Sequence, residues 1–147
     1  MSESITLFCK DTCENIESFL KRLSILSPTE IVRDSQPCWT KVKCTTSNGE
    51  VQFTRQFFKQ QADPFTKLRW MTIVKVRATA ERNPSVALEV EKRLDATESI
   101  IGIVAEPGFD QIEKLPESIE FLAMEFDALI FNGSEFLDFR GNSVLEL

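Results

Sequence analysis

Two alternating runs of residues meet at Asn48-Gly49, and this junction limits the fold more than any other local signal in the chain. Asn-Gly is the preferred pair for a two-residue type I′ turn, because both central residues need positive φ. A turn centred there predicts the cross-strand pairs Thr46–Val51, Cys44–Phe53 and Val42–Arg55 on one face. The opposite face then carries Thr45–Gln52, Lys43–Thr54, Lys41–Gln56 and Trp39–Phe58. One face is mainly apolar; the other is polar and basic and ends in an aromatic pair. This is the pattern of a half-buried antiparallel ribbon.

The flanking sequence supplies helices and further strands. Ser4 to Cys9 alternates as a first strand. Asp11 or Thr12 can cap a helix that carries Glu14 in its first turn and the apolar stripe Ile16, Phe19, Leu20 and Leu23. Ser27-Pro28 stops it. Beyond the hairpin, Asp63-Pro64 breaks the pattern, and the β-branched run inside Trp70 to Ala78 predicts another strand, with Lys75 and Arg77 on one side. Asn83-Pro84 opens a helix that continues through Val86, Val90 and Leu94. Ser99 to Ala105 is apolar without alternation, as in a strand covered on both faces. Pro116 or Glu117 opens the last helix, which buries Ile119, Leu122, Ala123 and Phe126. Short strands follow at Leu129-Ile130-Phe131, Phe136-Leu137 and Val144-Leu145, divided by turns at Asn132-Gly133 and Arg140-Gly141-Asn142. The order β-α-β-β-β-β-α-β-α-β-β-β, which has one strand between the first two helices beyond the segments named above, implies one α+β domain over residues 1–147. Its sheet is mixed or antiparallel, with about three helices packed on it.

At 147 residues a chain buries roughly 70% of its unfolded surface, enough to fold without disulfides or a structural metal. Hydrophobic residues at 42% and charged ones at 27% are ordinary for a globular protein. The first ten residues have neither a basic start nor a continuous apolar run, and Ile100 to Ala105 is too short to cross a bilayer. The expected location is therefore the cytoplasm, with the four cysteines reduced.

Charge is uneven. Residues 1–80 hold 12 Lys and Arg against 8 Asp and Glu; residues 81–147 hold 5 against 15, and the whole chain is −6. A net acidic chain disfavours general nucleic-acid binding, which needs a basic footprint.

What the sequence lacks narrows its chemistry. With no His there is no Ser-His-Asp or Cys-His arrangement and no His-ligated metal. Tyr is absent too, and the five Gly form no glycine-rich phosphate cradle. Cys9, Cys13, Cys38 and Cys44 are spaced C-x3-C and C-x5-C and fall on regular elements rather than paired turns, which argues for thiols over a zinc site. No cofactor and no metal is expected.

Four candidates remain. Cys13 sits in the first turn of the expected helix near Lys10, where the dipole favours a reactive thiolate. Glu106 and Asp110 flank a Pro-Gly turn beyond the buried strand, where a carboxylate pair could line a ligand cleft. Against this, the turn chemistry of Pro107-Gly108 explains the same residues without a ligand. Trp39, Lys41, Lys43 and Phe58 form an interaction surface on the hairpin, and Glu113, Glu117 and Glu120 make an acidic stripe on the last helix. The leading expectation is a non-catalytic module that binds another protein, as an adaptor, inhibitor or immunity-type partner, with homodimerisation as one form. The alternative is a small-molecule binder or His-free enzyme at Glu106 and Asp110, and behind it nucleic-acid binding through the basic hairpin face. No membrane partner is expected.

Overall fold

The computed structural model describes residues 2–11, 15–23, 28–33, 39–57 and 63–147. Among the described residues are eight strands: β1 (Glu3–Cys9), β2 (Pro28–Arg33), β3 (Trp39–Thr46), β4 (Gly49–Phe57), β5 (Ser99–Glu106), β6 (Ala128–Phe131), β7 (Glu135–Leu137) and β8 (Ser143–Glu146). They form one sheet in the order β2-β3-β4-β5-β1-β6-β7-β8, and every neighbouring pair is antiparallel. The fold is α+β, as its patterning predicts. The sheet is antiparallel throughout, so the mixed alternative falls away.

At the centre lies β1 (Glu3–Cys9), between β5 (Ser99–Glu106) and β6 (Ala128–Phe131). Leu7 and Cys9 point into one core and Phe8 into the other, so the strand is sealed on both faces where it is most central. β5 is buried without alternation over Ser99, Ile100 and Ile101. Further on it alternates, with Ile103 and Ala105 buried and Val104 exposed.

The first core is roofed by α1 (Ile16–Arg22) and α4 (Leu115–Glu125). Asn15 caps α1 by accepting the Ser18 N–H at 3.0 Å, so the cap is not Asp11, and Thr12 lies outside the described residues. Ile16, Phe19 and Leu23 turn inward at helical spacing. Phe19 is the hub, with ring centroids 4.3 Å from Trp39, 5.4 Å from Phe53 and 6.4 Å from Phe126. Burying each such ring contributes roughly 1.5–3 kcal/mol. Beneath α4, Leu115, Ile119, Leu122 and Ala123 complete this layer.

The second core is roofed by α2 (Asp63–Arg77) and α3 (Pro84–Asp95). Helix α2 replaces the strand expected at 70–78. Thr72, Ile73, Val76 and Thr79 are buried, a spacing with helical period, and the Thr72 hydroxyl donates to the Leu68 carbonyl one turn back at 2.7 Å. The β-branched run carries strand propensity, but packing against α3 overrides it. Asp63-Pro64 therefore begins a helix. In α3, Ala87, Val90 and Leu94 face Phe8, Phe136 and Leu145, the last two from β7 (Glu135–Leu137) and β8 (Ser143–Glu146).

On the far side of β5 lie β2 (Pro28–Arg33), β3 (Trp39–Thr46) and β4 (Gly49–Phe57). The sequence patterning names no strand at 28–33. The β3–β4 hairpin forms, but Thr46 pairs with Gly49, Cys44 with Val51 and Val42 with Phe53, two residues away from the expected register. The loop is thus Ser47-Asn48. Gly49 serves another purpose: its φ is +154°, and a Cβ there would overlap the Glu106 carbonyl oxygen. Only glycine lets the hairpin close against the end of β5. Because the slip is by two residues, the side chains from Lys41 to Gln56 keep their expected faces.

Candidate functional site

The open face of the sheet holds most of the hairpin surface expected from sequence. Lys41, Lys43, Gln52, Thr54 and Gln56 share it and are half-buried, and the Lys43 ammonium pairs with Glu50 at 3.3 Å. Trp39 does not belong there. The pairing of β2 with β3 jumps from Val32↔Lys41 to Arg33↔Trp39, leaving Thr40 as the extra residue of a β-bulge. One extra residue reverses the alternation, so Trp39 turns into the first core and is fully buried. There the Arg55 guanidinium lies 5.9 Å from its ring, and Arg55 Nε donates to the Trp39 carbonyl at 2.9 Å. Phe58 lies outside the described residues. The described residues of β3 and β4 on the open face therefore offer two lysines and several amides and hydroxyls, and no ring on which a base could stack.

Glu106 and Asp110 line different depressions. Glu106 ends β5, is exposed, and borders a shallow hollow shared with residues 45–50. The peptide bond to Pro107 is cis. Asp110 lies in the 3-10 turn Phe109–Gln111, which is tied to β1 because the Phe109 N–H donates to a Glu3 carboxylate oxygen at 3.0 Å. Asp110 borders a cleft of about 320 Å³, with Ile119, Ile130 and Leu137 beneath it and Glu117, Glu120 and Arg140 at its mouth. Neither hollow contains both carboxylates. The crevice rule that suggested their pairing applies to open parallel sheets, and this sheet is antiparallel. Arg140 is presented by a turn that Asp138 organises, one carboxylate oxygen accepting the backbone N–H groups of Arg140 and Asn142 at 2.9 Å each. These bonds, that to Asn142 first, hold the Asp138 carboxyl below its usual range.

Cys13 lies outside the described residues, as does Cys38. Cys9 and Cys44 are buried thiols, and burial pushes the Cys44 thiol up to about 11. Among the described residues no three Cys, Asp or Glu side chains come together as a metal-binding group.

One surface was hidden by the reading of residues 70–78 as a strand. On α2 the outward side chains include Trp70, Met71 and Val74, which are 56%, 49% and 48% exposed, with Leu68 at 38%. Leu88 of the neighbouring α3 is 53% exposed. Isolated exposed apolar residues are ordinary, but several on one helix form a patch. Residues 64–80 contain Lys67, Arg69, Lys75 and Arg77 and no acid at all. The Arg77 guanidinium lies 5.5 Å from the Trp70 ring centroid and is fixed by Glu91 of α3 at 2.6 Å, which also raises its pKa. The helix start at Asp63-Pro64 and the inward spacing 72, 73, 76, 79 were the signals that could have revealed this face.

Of the acidic stripe expected on the last helix, Glu117 and Glu120 lie exposed on α4, while Glu113 precedes the helix. Phe121 and Met124 lie on the same outward side, 41% and 50% exposed.

Comparison of the chain with family models, with characterised proteins and with solved structures gives no match. No described helix is long and apolar enough to cross a membrane.

Proposed function

We propose that the chain is a non-catalytic protein-interaction module that docks its partner through the outward face of α2. The observation that carries this reading is the run Trp70, Met71 and Val74, half-exposed on a helix without an acidic residue between positions 64 and 80. A tryptophan in an apolar patch, with an arginine guanidinium beside its ring, has the composition of an interface hot spot. The outward apolar residues add nothing to either core, so their cost in solvent is offset only when something covers them. A reducing, cytoplasmic setting accords with the buried thiols of Cys9 and Cys44.

A photo-crosslinking residue placed at Val74 tests this. Crosslinks to a defined protein from position 74, absent when Trp70→Glu is also present, are the expected result. Equal labelling from position 74 and from Thr54 on the open sheet face contradicts it.

A second reading rests on the cleft beside Asp110, whose volume of about 320 Å³ lies at the lower end of small-molecule sites. Its apolar floor and charged mouth suit a small ligand with an apolar body and a polar head. A bound small mass in native mass spectrometry, lost in Ile119→Trp, is the result that this reading requires.

A further inference from the structure

The outward faces of α2 and α4 match one another. The outward side chains include Trp70, Met71, Val74 and Lys75 on α2, and Glu120, Phe121, Met124 and Glu125 on α4. All eight are exposed, and both sets follow the spacing i, i+1, i+4, i+5. Residues four apart form the ridges by which helices interdigitate, so 70/74 and 71/75 on one side can seat between 120/124 and 121/125 on the other. Each set has an apolar centre, Met71 and Val74 against Phe121 and Met124. The charges are opposite. On the outward side of α2 Lys75 is exposed and the Arg77 guanidinium, paired with Glu91, lies over Trp70, while α4 exposes Glu117, Glu120 and Glu125 and carries no cation.

The two helices cannot meet within one chain. Buried residues of α2 belong to the core on one face of the sheet, and those of α4 to the core on the other.

We propose that the occupant of the α2 face is the α4 face of a second copy of this chain. The inference rests on the docking role of α2 proposed above and names its partner. The contact is head-to-tail: each copy offers one α2 and one α4, so association continues along a row or closes into a ring. One helix from each copy buries less than the ~1,000 Å² that stable interfaces need, so the contact is weak and concentration-dependent. Its opposed charges make it salt-sensitive.

The head-to-tail geometry gives a complementation test by sedimentation equilibrium on the full chain. Wild-type average mass should rise above that of one chain, 16.8 kDa, as concentration increases, and rise less at high salt. Trp70→Glu spoils α2 and keeps α4; Met124→Lys spoils α4 and keeps α2. Each alone should bind itself at least about tenfold more weakly. Mixed in equal amounts they share one intact contact, and should form a dimer that grows no further. Both positions are exposed, and unchanged thermal melts confirm that both variants fold. Three results overturn the self-contact: a wild type that stays monomeric, either variant alone associating like wild type, or a mixture that stays monomeric. A monomeric wild type whose Val74 crosslinks to another protein and loses them with Trp70→Glu overturns the self-contact and leaves the docking role of α2 intact. A monomeric wild type without such crosslinks overturns both.

Discussion

On the α1/α4 side of the sheet, apolar burial runs from Val42 on β3 to Ile130 on β6, and aromatic rings from β3, β4 and the end of α4 converge on Phe19. On the α2/α3 side it is confined to the half of the sheet around Phe8, Leu129, Phe136 and Leu145. The rest of that side shows Lys41, Lys43, Gln52 and Thr54 to solvent. Strand composition follows this difference. Where helices lie on both faces, Ile100 and Ile101 are apolar in succession; where only one face is covered, Ile103, Val104 and Ala105 alternate in burial. The open sheet face is mainly polar, with Val32 and Val104 exposed singly among lysines, amides and hydroxyls. The exposed apolar residues of α2 stand together as Trp70, Met71 and Val74, which is why docking is assigned to a helix and not to the ribbon.

The difference between the two sides can be broken most severely at Trp39. Trp39→Ala removes the largest fully buried side chain, and a loss of about 3–5 kcal/mol in urea unfolding is expected. A loss below about 1 kcal/mol would mean that Trp39 lies on the open face after all. Leu94→Ala in the smaller core should cost about 2–3 kcal/mol, because it removes less buried volume than Trp39→Ala. An equal or larger loss than at Trp39 would reverse the ranking of the two cores.

Cys44 sharpens the comparison through pH. Its buried thiol stays neutral up to about pH 11, while the ordinary value is 9.0. The contribution to stability is therefore full below pH 9 and is lost as pH rises towards 11, because the unfolded chain ionises first. Cys44→Ala should flatten stability over this window, measured as unfolding midpoint against pH. An unchanged slope would place the thiol in a wetter site. The smallest effect on stability is expected at Trp70→Glu, within about 0.5 kcal/mol of wild type. A large loss there would show that α2 presents Trp70 to a core.

Much of the fold could be read from residue spacing, and the failures have physical causes. Helices α1, α3 and α4 show their buried faces as Ile16/Phe19/Leu23, Ala87/Val90/Leu94 and Ile119/Leu122/Phe126, because 3.6-residue periodicity survives any tertiary arrangement. The last three strands lie where their flanking turns put them. The hairpin faces were legible because a two-residue slip preserves parity; the register was not, because Gly49 is spent on contact with Glu106 rather than on the turn. The bulge at Thr40 has no local signature, so Trp39 was assigned to the wrong face. Helix α2 was missed because Thr72-Ile73-Val74 favours strand and the alternate placing of Lys75 and Arg77 imitates one. Lys41 and Lys43 lie on the face expected of them, whereas the exposed apolar run Trp70, Met71 and Val74 was hidden in that misread segment.

Native mass spectrometry of the tagged protein purified from its own host, wild type beside Trp70→Glu, tests the docking role of α2 most directly. The wild type should carry a bound protein chain, a second copy or another, in defined stoichiometry, and the variant should arrive bare while keeping its thermal stability. Two bare monomers, or the same partner on both, would contradict it.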